Sequence, residues 1–295
     1  MDAPLLLFLF FAGTFLCDVR PAMITVKNNC PYTIWPATLT GAGIPPLPNT
    51  GFELAAGASS APIQIPPHWS GRFWARTSCA AGPTGSFACQ TADCASGAVT
   101  CNGAGAIPPA SLVEFTFDGY NAQDFYDVSL VDGFNLPVTV EPVGIAASAT
   151  CMPVVCQGNV NAGCQPALAL KDASGVTVGC KSACVAFNQP QFCCTGAYAT
   201  AATCQASAYA VYFKQSCPQA YSYAYDDSSS TFTCPSGPNN NYLITFCPGP
   251  SIATPAAANS SPISARDSVV KSAAAILSFP CHVFFFLSAA LAYNL

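Results

Sequence analysis

Charge is scarce in this chain. Of its 295 residues, nine are lysine or arginine, fourteen are aspartate or glutamate, and two are histidine. Each shortage excludes something. Between residues 23 and 249 the bases are Lys27, Arg72, Arg76, Lys171, Lys181 and Lys214, six against eleven acids, and they form no cluster. Phosphate backbones and anionic lipid surfaces are held by clustered Lys and Arg, so no nucleic-acid partner is expected and no electrostatic hold on a bilayer. His68, between Pro67 and Trp69, is the one histidine of that stretch and reads as structural. A Ser-His-Asp triad therefore has no base, and a zinc site has no histidine partner for its cysteines. Asp226 and Asp227 sit among serines without the spacing of a calcium loop. The sequence predicts neither metal nor cofactor.

Cysteine, by contrast, is abundant. Sixteen of the eighteen lie between Cys30 and Cys247 at irregular spacing, with Cys17 and Cys281 outside that block. An even, irregular set with almost no histidine reads as a disulfide framework made in an oxidising compartment.

A hydrophobic segment sits at each end. Residues 1–17 (MDAPLLLFLFFAGTFLC) have the length of a signal-peptide core and are too short to span a bilayer comfortably. Residues 1–22 are thus expected to be a secretory signal, cut after Cys17 or a few residues to either side. Residues 250–272 turn to Ala, Ser and Pro, a spacer, and 273–295 form an apolar tail with nothing basic behind it. That is the layout of a glycosylphosphatidylinositol attachment signal, with attachment at 260–264 or nearer Ser272. A single-pass helix, which Pro280 and His282 interrupt, and a C-terminal sorting propeptide are the alternatives. The sequon Asn259-Ser260-Ser261 marks Asn259 for glycosylation.

Within 23–249, β-branched and aromatic residues alternate between Pro and Gly breaks at 24–27, 32–35, 52–54, 62–65, 71–76, 112–117, 125–131, 138–143, 231–233 and 242–246. These are expected strands of an antiparallel sandwich, the last ones returning to pair with the first. Residues 151–217 hold nine cysteines and few long apolar runs, which predicts a loop-rich, disulfide-clamped lobe. Helices are expected at 206–215, where Tyr209, Tyr212 and Phe213 read as core positions, and at 181–186.

From Gly85 to Cys101 the chain reads G-S-F-A-C-Q-T-A-D-C-A-S-G-A-V-T-C, which resembles the signature of the thaumatin-like family, the plant pathogenesis-related relatives of thaumatin and osmotin. The resemblance extends to NNCPYTIWP, WSGRFWARTSC, LVDGFNLPV, QFCCTG, YFKQSCPQAYSY and STFTCP. It implies a mainly β fold, a flattened sandwich (23–77, 107–156 and 218–248) with a small lobe (78–106) and a disulfide-rich lobe (157–217), in a monomer. It also implies the pairs Cys30–Cys247, Cys79–Cys89, Cys94–Cys101, Cys151–Cys234, Cys156–Cys217, Cys164–Cys180, Cys184–Cys193 and Cys194–Cys204. The first closes almost the whole body, a loop worth about 5 kcal/mol in the chain-entropy model. Where relatives have Cys-Pro-Asp-Ala, this chain has Cys217-Pro218-Gln219-Ala220, an expected loosening of a local turn.

Such proteins carry an acidic cleft built from one Arg, one Glu and three Asp. Matched residue by residue, these fall on Arg72, Glu114, Asp127, Asp132 and Asp226, with Asp227 adjacent to the last. Carboxylates accept hydrogen bonds from sugar hydroxyls, and a Glu/Asp pair such as Glu114 and Asp127 can divide the acid and nucleophile-or-base work of glycoside hydrolysis. Arg72 is expected to hold one Asp ionised while like charge raises Glu114. The plain alternative is that Arg72 makes structural ion pairs with Asp127 or Asp132 and no chemistry follows. Three functions are weighed: a surface or wall protein that binds β-1,3-glucan or another wall polysaccharide and is held to the membrane by a lipid anchor, a weak endo-β-1,3-glucanase, and a structural or hydrolase-inhibiting surface protein. Basic relatives are thought to damage fungal membranes, a lever that this acidic body lacks.

Overall fold

The computed structural model describes residues 21–83, 85–237 and 240–249. The linker, the apolar tail, Asn259 and the expected signal peptide up to residue 20 lie outside the described residues. In chain order the strands are β1 Ala22–Asn28, β2 Ile34–Thr40, β3 Ile63–Ile65, β4 Ser70–Ala81, β5 Phe87–Thr91, β6 Leu112–Thr116, β7 Gln123–Ser129, β8 Val138–Val143, β9 Val154–Cys156, β10 Ala169–Lys171, β11 Thr177–Cys180, β12 Phe232–Pro235 and β13 Asn241–Phe246. One sheet runs β3-β1-β13-β8-β9. The other runs β12-β7-β6-β4-β2, with β5 added to the far end of β4, and β10-β11 form a small hairpin in the disulfide-rich lobe.

Period-two alternation decides which side chains fill the space between the sheets. Ile24 and Val26 of β1, Phe73 and Ala75 of β4, Val113 and Phe115 of β6, Tyr126 and Val128 of β7, and Tyr242, Ile244 and Phe246 of β13 are all buried there. Phe115, Phe117, Tyr126 and Tyr242 pack as one aromatic cluster, with ring centroids 5.2–6.4 Å apart. Two expectations need correction. Strands β1 and β13 pair in parallel, Met23 opposite Asn241, so the sandwich is antiparallel except where its first and last strands meet. Residues 52–54 make no strand, only bridges from Leu54 to Ile34 and from Gly51 to Ala37.

Two helices begin one residue after a serine cap. In α1 (Ala183–Phe187) Ser182 Oγ accepts from Val185 N, and in α3 (Ala208–Ser216) Ser207 Oγ accepts from Ala210 N. The cap therefore trims the expected starts at 181 and 206. Between them lies α2 (Pro190–Cys193), and the single turn α4 (Asp227–Ser230) precedes β12.

Eight disulfides are present, and they are the eight pairs that the resemblance implies. Gln219 does not loosen its turn. Its Oε1 accepts from Val155 N at 3.0 Å and its Nε2 donates to Pro153 O at 3.3 Å, tying the turn to β9.

Candidate functional site

The residues that point inward on β4, β6 and β7 dictate those that point outward. Since Phe73, Val113 and Tyr126 are buried, their neighbours Arg72, Glu114 and Asp127 face the other side of the sheet. The register sets these three in line, Arg72 opposite Glu114 and Glu114 opposite Asp127, and extends the row to Leu39 on β2. The chain then supplies a wall. Tyr221 is bridged to Ser129, with Tyr221 N donating to Val128 O and Leu130 N to Tyr221 O, both at 2.8 Å. This holds the segment from Tyr221 to α4 along the end of β7. The result is a cleft of about 360 Å³ whose lining includes Arg72, Glu114, Asp127, Ser129, Asp132, Tyr221 and Asp227.

Arg72, Glu114, Asp127 and Asp132 thus come together as the sequence leads one to expect. Asp226 does not line the cleft, and Asp227 takes its place. Asp226 faces the disulfide-rich lobe, where Lys214 Nζ lies 3.0 Å from its Oδ2 and the backbone N and Oγ of Ser222 donate to the same oxygen at 3.0 and 2.8 Å. Lys214 also donates to Ala220 O and Ser230 Oγ, so one ammonium pins both ends of the Tyr221–Asp227 segment. With Asp226 committed to that anchor, the next residue turns into the cleft, where Asp227 Oδ1 accepts from Tyr221 OH at 2.9 Å. Tyr221 and Asp227 are cleft groups outside the strands, with the adjacent Asp pair and a lysine twelve residues upstream as their signal, and Ser129 is readable as the residue two beyond Asp127 on the same face of β7.

The electrostatics differ from expectation as well. Arg72 approaches Asp132 only at 4.0 Å, Nη1 to Oδ2, with both side chains over a third exposed, a separation that contributes little in water. Asp127 Oδ1 is buried with no hydrogen-bond partner among the described residues. Burial raises the Asp127 carboxyl well above its usual range, and the charges of Glu114 and Asp227 push it further. Glu114 is also raised, chiefly by burial, with Asp132 adding to the rise, but Arg72 opposite it and a hydrogen bond from Ser129 work against that rise. Like charge is a minor cause there, whereas at Asp127 two neighbouring carboxylates add to the effect of burial. Asp132 is raised by burial, against the pull of Arg72. Burial acts to raise Asp226 too, but Lys214 and Ser222 outweigh it and bring that group below its usual value. Burial leads the causes that push the Tyr221 hydroxyl up, so it remains a donor to Asp227.

A raised carboxyl favours folding while protonated and opposes it once the pH passes its folded-state pKa. Stability tied to Glu114 and Asp127 is therefore full in acid and lost as the pH rises. Asp127→Asn should raise the melting temperature at pH 8 while changing it little at pH 4. Each 1 kcal/mol is visible as a shift of ~2–4 °C for a chain of this size. An equal shift at both pH values would contradict the assignment.

Among the described residues no group of three or more His, Cys, Asp or Glu side chains could hold a metal ion, and no helix is long and apolar enough to cross a membrane. Comparison with known proteins agrees with the fold. The Thaumatin family model matches residues 28–248. Thaumatin-like protein 1 of Pyrus pyrifolia is 57% identical over 231 residues, which cover 78% of this chain and 92% of that protein. Its namesake in Castanea sativa is 57% identical over 235 residues, covering 79% and 94%. A Prunus avium protein named glucan endo-1,3-beta-glucosidase is 55% identical over 227 residues, covering 77% and 91%. With a family match across nearly all of the described residues and relatives that share more than half of theirs, this chain belongs to the thaumatin family.

Proposed function

We propose that the protein acts outside the cell, in defence or wall biology, by binding β-1,3-glucan or a related wall polysaccharide in the acidic cleft. The observation that carries this reading is the imbalance of the lining: four carboxyl groups, from Glu114, Asp127, Asp132 and Asp227, face one guanidinium, that of Arg72. Such a surface is rich in hydrogen-bond acceptors and short of donors. An uncharged polyhydroxyl chain supplies many donors without the repulsion that an anionic ligand would meet. The eight disulfides suit an oxidising, extracellular setting.

The second reading, slow endo-hydrolysis, draws on one further feature. Glu114 and Asp127 are directly opposite on adjacent strands and line one cleft, which sets two carboxyl groups around one space, the arrangement that glycoside hydrolysis uses. Asp127, whose Oδ1 is buried without a partner among the described residues, would then be the acid, and Glu114, opposite Arg72, the nucleophile. The naming of one relative as a glucan endo-1,3-beta-glucosidase supports the same class of ligand.

Calorimetric titration with laminarin tests both readings. Asp132→Asn should weaken binding by roughly 1–3 kcal/mol, the scale of a lost charge-assisted hydrogen bond, and Asp127→Asn by less, because burial favours the neutral form of Asp127. Glu114→Gln should remove any release of reducing ends yet largely retain binding. If wild-type protein neither binds nor cleaves laminarin between about pH 4 and 7, where carboxyl pairs operate, the cleft is not a glucan site. The hydrolase-inhibiting surface protein then becomes the better account.

A further inference from the structure

The cleft does not end at Arg72 and Glu114. A second concavity of about 500 Å³ opens on their other side, and these two residues line both. Two positions along each strand from the charged row, Ser70 on β4 stands opposite Thr116 on β6. Just past the end of β2, Gly41 N donates to Ser70 O at 2.8 Å. By period-two alternation Ser70 and Thr116 share the outward face of Arg72 and Glu114, but they are short, hydroxyl-bearing and uncharged. Beside them Gly41 has no side chain, and a Cβ there would come within 2.7 Å of Ser70 Oγ. The surface therefore drops from the charged row to a low shelf, edged by the apolar side chain of Leu39 and bounded by the exposed Ala42.

We infer that this shelf is the second half of the polysaccharide site, so that cleft and shelf together hold one continuous run of a linear β-1,3-glucan and select long chains over short ones. The inference rests on the glucan reading above and adds to it the length of the ligand. From Asp127 to Leu39 the row crosses β7, β6, β4 and β2, three strand spacings of about 4.8 Å, or ~14 Å, before the shelf widens it. The two halves differ in chemistry. The acidic half accepts hydrogen bonds, whereas the shelf offers hydroxyl groups and an apolar edge against which the less polar face of a sugar ring can lie. A short oligosaccharide satisfies one half, and a longer one spans both.

Calorimetric titration with laminaritriose and laminarihexaose, on the wild type and on Ala42→Trp and Thr116→Trp, tests this. Both substitutions start from exposed positions and fill the shelf, leaving the carboxyl groups untouched; melting temperatures check that the variants fold. Wild-type protein should bind the hexaose at least about tenfold more tightly than the triose, a 1.4 kcal/mol difference that exceeds the small statistical gain of extra binding registers. In the two variants that advantage should collapse to near parity. Equal affinities in the wild type, or an advantage that survives both tryptophans, overturns the shelf but leaves the cleft as a glucan site. A wild type that binds neither oligosaccharide overturns the glucan reading, and the shelf falls with it.

Discussion

Arg76→Ala should destabilise the protein by about 3–5 kcal/mol, the cost of leaving a cavity and two carbonyl acceptors without their charged donor, and should lower its melting temperature by roughly 10 °C. Arg76 is fully buried, on the same outward face of β4 as Arg72 but beneath the small lobe. Its Nε donates to Trp35 O at 3.2 Å, Nη2 to Val99 O at 2.5 Å, and Nη1 lies 3.6 Å from Cys94 Sγ. The guanidinium also sits over the Phe87 ring, 5.6 Å from its centroid. One side chain therefore joins β2, β5 and the Cys94–Cys101 loop to β4. Truncation leaves two carbonyl groups without this donor and opens a cavity under the lobe. Arg76→Lys should recover only part of the loss, because an ammonium cannot reach Trp35 and Val99 as a planar fork does. Chemical denaturation of the three proteins decides it; a loss under about 1 kcal/mol for alanine would mean that the two disulfides alone hold the lobe.

Asp124→Ala should be nearly as costly, roughly 3–4 kcal/mol, the scale of several hydrogen bonds to one buried carboxyl lost together. Asp124 is 2% exposed, and its carboxylate accepts from four donors: Asp118 N at 3.1 Å, Ser236 Oγ at 2.7 Å, Asn240 Nδ2 at 2.7 Å and Tyr242 OH at 3.0 Å. Burial first, and then the nearby Asp124 charge, push the Tyr242 hydroxyl far up, so it remains a donor at every working pH. The alanine variant strands these donors where water enters poorly. Because Asp124 points inward and Asp127, three residues on, points outward, laminarin affinity at low temperature should be unchanged while the melting temperature falls. A parallel loss of affinity would show instead that β7 itself is displaced.

How much of this was legible in the sequence differs from element to element. Strands such as β4, β7 and β13 announce themselves because a half-buried strand must alternate. The bridges came from the Thr-Ala-Asp signature and its companions, since spacing alone leaves sixteen cysteines with too many pairings. Arg72, Glu114, Asp127 and Asp132 were placed by the resemblance, and the register of β4, β6 and β7 is the physical reason that the first three meet. Asp226 and Asp227 could not be told apart, because they sit in a loop where no period applies and the choice is made by Lys214, distant in sequence from neither yet bonded to only one. Arg76 and Asp124 passed unnoticed for a related reason. In sequence a charged residue in a strand looks the same whether it meets solvent or a second layer of protein. The parallel pairing of β1 with β13 was hidden as well, since pairing sense belongs to the topology and leaves no mark on either strand.

The covalent clasp between Cys30 and Cys247, one at each end of the described body, has a mechanical meaning. Tension applied at residues 21 and 249 enters through β1, crosses the sulfur–sulfur bond and leaves through the residues just after β13. The 216 residues between the two cysteines are bypassed, so the sandwich, both lobes and the cleft stay slack while the outer ends are pulled. Only β1 can be peeled away, and that motion stops at Cys30. The face that carries the cleft thereby stays undistorted for as long as that one bond stays oxidised.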